Sequence, residues 1–399
     1  MKKILNLLCL AVLFGALTAC SDDDKDDVQV VEPGTYTDGE GLQITLNGAP
    51  VIGKTAVFTP DATDHSKATI TLGSTFDLSA IPTLTLPGSQ TIVGPGVVPG
   101  SKELVLDVTL KAGADGMSTF SGSHSTEYCT FEYSGSVGDD FLVLDIKNLE
   151  LKDKTLVGLW SPMEQVVDDD FASDTYGQVL SSPIYAVWES GSDINFLGTP
   201  MPVQNILSLV MVMPLLDDMS LTVPDALLSV LKNVEFMKDG NIVASYVDTD
   251  SEDGAAVTSP LNMAQYVVTG KNDMRFFLNP QAVIAADSKT RATRAIDLND
   301  LLGNVMAQLT PMMGDGVPMH YALNGSELRV YLGTETLLPL LKQASPLLRD
   351  ETLVASLVEL VKQDESMGFI ADMLPSMLSS VADAIDNTTK IEIGLNLTK

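Results

Sequence analysis

Between residues 34 and 158 apolar and polar residues alternate with a period of two, and this constrains the chain more than any single motif. "GLQITLN", "TAVFTP", "KATITLG", "SKELVLDVTLK", "STFSGS", "YCTFEYSG" and "FLVLDIKNLELK" are short β-rich runs separated by Gly, Pro, Asn and Asp. A strand with one apolar face must bury it against a second sheet or against the far wall of its own. The pattern therefore predicts an all-β domain over 34–158, a sandwich or a small barrel. The proline- and glycine-rich stretch 86–101 reads as a loop within it.

Residues 159–399 change character. Fourteen of the 17 methionines lie after residue 200, and leucine-rich helical segments enter. In "DETLVASLVELVKQ", Leu353, Val354, Leu357, Val358 and Val361 form one helical face and Ser356, Glu359, Lys362 and Gln363 the other, with Asp350 placed to cap. "VQNILSLVMVMPLL", 203–216, is apolar almost all round, which predicts an interior helix; its length and Pro214 rule out a membrane span. Three segments starting at Tyr185, Tyr266 and Tyr321 each read as a strand, a polar turn and a second strand. "VPDALLSVL" and "LPSMLSSVA" match each other, with Pro224 and Pro375 in the first helical turn and a strand following each. The expectation is an α+β domain over 159–399, antiparallel hairpins covered by apolar helices. Its hairpin-helix-strand unit is duplicated at about 184–247 and 320–398.

The amino terminus addresses the chain. Lys2 and Lys3 precede the apolar run "ILNLLCLAVLFGAL", too short to span a bilayer, so 1–19 read as a signal peptide. "LTAC", ending at Cys20, resembles the lipobox of bacterial lipoproteins. "SDDDKDD", 21–27, is similar to the acidic export tract of Bacteroidetes-type surface lipoproteins, and the stretch from "GTYTDGEG" to "LVGLW" to the β-domains of such lipoprotein families, of unknown function. The resemblance implies acylation of Cys20, a linker over 20–33, and a protein anchored in the outer membrane and facing outward. Several acyl chains anchor stably where one does not. With Cys9 removed and Cys20 acylated, Cys129 stands alone, which excludes an intramolecular disulfide; its strand-like setting reads as core.

Charge narrows the partners. Removing Lys2 and Lys3 leaves 21 basic against 53 acidic residues, a net of −32, which disfavours nucleic acid and anionic membrane surfaces. "NGAPVIGKT", 47–55, spells a phosphate loop at Gly48, Gly53, Lys54 and Thr55. Such a loop needs a helix after it. Here a strand follows, Asn-Gly marks a turn and Pro50 removes a donor, so the segment reads as a hairpin and no nucleotide is expected.

Catalytic patterns are sparse. His65, His124 and His320 are unpaired in sequence, so no zinc site is expected. The S-x-x-K of Ser229–Lys232 lacks its companion motifs. Asp248, Asp250 and Glu252 imitate a calcium loop, but Asp253 and Ser259 occupy positions that require Gly and Glu. Asp139 with Asp140, or Asp168 to Asp170, offer carboxylate pairs of the glycosidase kind. Lys289, Arg291 and Arg294 gather in a stretch read as an exposed loop, 287–297. No catalytic, cofactor or metal residue is assigned; Cys20 is the one site residue, for lipid.

The sequence thus points to a non-catalytic surface binding or interaction module. Its candidate partners are the membrane through its anchor, a hydrophobic small molecule in a methionine- and leucine-rich cleft, or neighbouring surface proteins. The alternative is an accessory protein or hydrolase of surface polysaccharide capture, for which Trp160 and Trp188 are the only tryptophan platforms.

Overall fold

The alternation of the first half becomes a sheet of ten strands. A computed structural model describes residues 31–77, 91–113, 117–214, 221–247, 254–286, 312–362 and 371–399. The strands are β1 (Gly34–Asp38), β2 (Gly41–Leu46), β3 (Ala49–Pro50), β4 (Thr55–Pro60), β5 (Lys67–Gly73), β6 (Thr75–Asp77), β7 (Thr91–Val93), β8 (Leu104–Thr109), β9 (Lys111–Ala112), β10 (Ser118–Ser125), β11 (Cys129–Gly138) and β12 (Phe141–Leu151). Nine of them run in the order β8-β5-β4-β1-β2-β12-β11-β10-β9, with β3 on β2, while β6 and β7 pair separately. The sheet is antiparallel except where β2 meets β1 and β12.

Every second residue points inward, as the period required: Leu42, Ile44 and Leu46 on β2, Ile70 and Leu72 on β5, Leu142, Leu144 and Ile146 on β12. The Tyr133 hydroxyl donates to the Asp107 carbonyl at 3.3 Å, drawing β11 to β8, so the sheet is nearly closed and barrel-like. Cys129 is fully buried in this wall, and burial pushes its thiol pKa up. "NGAPVIGKT" is a hairpin: Leu46 pairs with Ala49 around Asn47 (φ 49°) and Gly48 (φ 85°), a two-residue turn with both central residues left-handed.

The second half supplies β13 (Gly158–Pro162), β14 (Val166–Val167), β15 (Val179–Ser181), β16 (Ile184–Ser190), β17 (Ile194–Phe196), β18 (Thr199–Met201), β19 (Leu231–Phe236), β20 (Ile242–Val247), β21 (Ala256–Thr258), β22 (Ala264–Val268), β23 (Asp273–Leu278), β24 (Val317–Asn324), β25 (Glu327–Leu332) and β26 (Thr388–Thr398). A second ten-stranded sheet runs β21-β20-β19-β13-β26-β25-β24-β23-β22, with β16 also on β26. It too bends back on itself, since Asn241 bridges to Gln265 and the Tyr266 N–H donates to the Gly240 carbonyl at 2.8 Å. Among the described residues, helices α1 (Val203–Val212), α2 (Val223–Val230), α3 (Pro280–Ala286), α4 (Thr334–Ala344), α5 (Glu351–Lys362) and α6 (Leu374–Asp386) accompany it. Strand exceeds helix, 48% to 22%, so the protein is mostly β and its helices are accessory.

The buried residues of both sheets form one continuous cluster, from Val31 through Trp160 to Leu397. The boundary expected at 158/159 falls inside β13, and the core runs continuously across it. The 47–55 hairpin is part of the joint: Asn262 Nδ2 donates to the carbonyls of Ala49 (3.3 Å) and Pro50 (3.2 Å), and Asn279 Nδ2 to that of Ile52 (3.1 Å).

Several expectations need correction. Helix α1 is not interior: Val203 and Ile206 face Trp188, Ile194 and Ala384, but Val210, Val212 and Met213 are exposed, because the helix meets the sheet along one side only. The loop of 86–101 contains β7, and Val97 and Val98 enter the core. The segments from Tyr266 and Tyr321 are hairpins, but β16 pairs with β26 while β17 turns onto β18. The stretches 184–247 (β16, β17, β18, α1, α2, β19, β20) and 320–398 (β24, β25, α4, α5, α6, β26) differ in the number and in the pairing of their elements, so the expected duplication is not confirmed. Helix α5 matches its expectation, with Asp350 Oδ1 accepting from the Leu353 N–H at 2.8 Å. Cys20, the tract 21–27, the Asp248/Asp250/Glu252 turn and Lys289, Arg291 and Arg294 lie outside the described residues.

Candidate functional site

Strands β14 and β15 form a two-stranded finger, residues 166–181, that belongs to neither large sheet. Its tip "DDDFASDTYG" is built by its own polar groups. Asp168 accepts from the Asp170 N–H (3.0 Å) and from the Thr175 hydroxyl (2.6 Å), Asp170 accepts from the Ala172 N–H (2.9 Å), and the Gly177 N–H donates to the Asp168 carbonyl (2.7 Å). Hydrogen bonds from the Ser173 side chain, then Thr175 and the Asp170 backbone, hold the Asp168 carboxyl below its usual pKa, so it stays ionised.

This scaffold displays two aromatic rings. Phe171 is 86% exposed and stacks on Tyr176, 50% exposed, at a centroid distance of 4.4 Å. Val166, Val167, Val179 and Leu180 continue an exposed apolar surface down both strands. None of these residues joins a core cluster among the described residues. Asp168, Asp169, Asp170 and Asp174 ring the tip with negative charge.

The expected site residues are scattered by comparison. Asp139 and Asp140 form the exposed turn between β11 and β12, and Asp168 and Asp170 accept hydrogen bonds that fold the finger. Lys232 Nζ donates to the carbonyls of Leu228 (3.2 Å) and Ser229 (3.0 Å), closing the end of α2, while the Ser229 hydroxyl donates to the Ala226 carbonyl. Trp160 is fully buried, and Trp188 Nε1 donates to the Thr388 hydroxyl at 2.8 Å, so neither is an open platform.

Two titratable groups stood out less in the sequence than they do in space. Lys54, of the phosphate-loop spelling, is 2% exposed and donates to the Pro95 carbonyl at 2.6 Å. Burial pushes its ammonium pKa down to about 7, with Asp38 offsetting part of that. It lines a small cavity between the sheets with Val51, Asn262, Gln265, Phe277 and Asn279. His320 is held between two carboxylates, Asp273 at Nδ1 (2.8 Å) and Glu335, in the first turn of α4, at Nε2 (2.6 Å). Burial lowers its pKa, but the two carboxylates outweigh that and the net shift is upward. They sit on opposite ring nitrogens and converge on no common point, and among the described residues no His, Cys, Asp and Glu cluster could hold a metal ion.

Compared with protein-family models, with curated proteins and with solved structures, the chain matches none. A hydrogen-bonded tip presenting two large rings inside an acidic rim suits contact with another molecule's surface.

Proposed function

We propose that the protein is an outer-membrane lipoprotein, tethered through acyl chains on Cys20 and facing outward, that acts as a non-catalytic interaction module through its aromatic finger. The observation that carries this reading is the exposed Phe171–Tyr176 stack on a hydrogen-bonded tip. Interface hot spots are enriched in rigid aromatic anchors, and exposed apolar patches with a polar rim mark interaction sites. Charge complementarity specifies the partner: a neighbouring surface protein with an apolar slot for Phe171, rimmed by Lys or Arg facing the four aspartates. The hydrophobic-ligand reading draws less support from two concavities of the described residues, whose walls carry polar side chains, one around Lys54 and the other around Ser123, His124 and Glu132. No described helix is long and apolar enough to cross a membrane.

Two measurements test the proposal. Palmitate should label the wild-type chain and not Cys20→Ser, which should also lose its membrane fraction. Zero-length cross-linking on intact cells should yield a specific adduct that Phe171→Ala reduces at least tenfold at unchanged abundance. An adduct indifferent to Phe171 would remove the finger from the interface.

A further inference from the structure

A row of side chains crosses the outer face of the second sheet. Asp273, His320, Tyr331, Gly394 and Tyr185 stand directly opposite one another on β23, β24, β25, β26 and β16. Gly394 leaves a gap that the two tyrosines close, edge to face at 5.3 Å; a Cβ there would lie 2.5 Å from that of Tyr331. Arg329, two residues back on the same face of β25, reaches over this gap. Its guanidinium carbon lies 3.9 Å from the Tyr185 ring centroid, and its Nε donates to Asn396 Oδ1 at 2.9 Å.

The guanidinium is thus fixed from below and from one edge, while Nη1 and Nη2 have no partner among the described residues. This sets it apart from Arg275, whose Nη1 donates to the carbonyls of Asp315 and Gly316, and from Arg349, paired with Asp383 and Asp386. In a chain with 53 acidic and 23 basic residues, a half-buried arginine without a carboxylate is out of proportion. The Tyr331 hydroxyl beside it is also without a described partner, whereas the Tyr185 hydroxyl donates to Glu392 at 2.5 Å.

We propose that Arg329, with Tyr185 and Tyr331, binds the carboxylate of a small organic monoanion. The guanidinium edge offers two parallel N–H donors that match a planar carboxylate, and its fixed position removes much of the entropy cost of pairing. Lys390 and Glu392 offset each other at 3.2 Å, and the one negative charge left over where a protonated His320 sits between Asp273 and Glu335 is matched by Arg329 itself, so the row carries far less charge than the rest of this acidic molecule. A dianion such as phosphate would meet the net charge of −30 with twice the repulsion of a monocarboxylate. The Tyr331 hydroxyl is free to engage a hydroxyl or carbonyl next to the carboxylate. Two sources carry this chemistry, the uronate of an acidic sugar and the free terminus of a peptide.

Calorimetric titration of the full chain at pH 7 with sodium glucuronate, N-acetylalanine and the methyl ester of each tests the site. Saturable binding of at least one acid is expected, at least tenfold weaker for its ester and for Arg329→Lys, which keeps the charge and loses the planar fork. Response to glucuronate alone assigns a sugar acid, to N-acetylalanine alone a peptide terminus, and to both the carboxylate itself. If neither acid binds, or if ester or Arg329→Lys stays within twofold, the proposal fails. Should Arg329→Lys not fold, the ester comparison decides alone.

Discussion

Lys54 makes stability depend on pH in an uncommon direction. Its folded pKa is about 7 because of burial, against about 10.4 in an unfolded chain. Between those values the unfolded chain holds a proton that the folded chain lacks, so stability rises with pH across that window and the cost is fully present below it. The difference corresponds to on the order of 5 kcal/mol. We expect Lys54→Met to raise stability at pH 7 by roughly 2 kcal/mol and to flatten the rise toward pH 10, read by urea denaturation at each pH. A variant less stable at pH 7, with the slope intact, would show that the ammonium is not the cause. His320 runs the other way: its folded pKa is raised, so its contribution is whole below about pH 6.5 and is lost as pH climbs through the folded value. Accordingly His320→Gln should cost stability at pH 5.5 and little at pH 9, the gap closing between. Neither environment could be read from sequence. Lys54 looked like part of a turn, and what buries it arrives from residues 95 and 262–279; the carboxylates at His320 come from a neighbouring strand and a helix 15 residues on.

At the scale of elements, strands with a polar outer face were legible and helices apolar all round were not. The period of two placed β2, β5, β8 and β12 because one face meets the barrel interior and the other meets water. Asp350 and Pro224 marked the starts of α5 and α2 because caps act within one turn. By contrast "VQNILSLVMVMPLL" was expected inside, since composition does not say how much sheet remains to cover a helix. The finger was missed for the opposite reason, as Phe171 lies in an acidic turn and is identified as exposed only once every core has been filled without it. Because residues 163 and 184 both pair with β26 nearby, replacing 166–181 by a short Gly-rich turn should leave the thermal midpoint within about 2 °C while abolishing the cross-link. A large loss of stability would mean that the finger packs on the body.

For the molecule as a whole, one continuous core across both sheets predicts one transition. Trp160 belongs to it and is fully buried, its Nε1 donating to the Leu156 carbonyl at 3.0 Å and Lys399 Nζ lying 4.6 Å from the ring centroid. Trp160→Ala should cost about 3–5 kcal/mol and lower a single calorimetric peak without splitting it; two separate peaks would assign the sheets independent cores.

Strand β26 joins β13, β16 and β25, so Tyr185 meets its partner Glu392 across 207 positions of chain. A polypeptide made from its amino end therefore keeps Ile184–Ser190 without a strand partner until Thr388–Thr398 has been made. Such late closure slows folding and prolongs exposure to misassembly. It also means that the sheet carrying Arg329 and the finger's base is complete only once the last strand has been made.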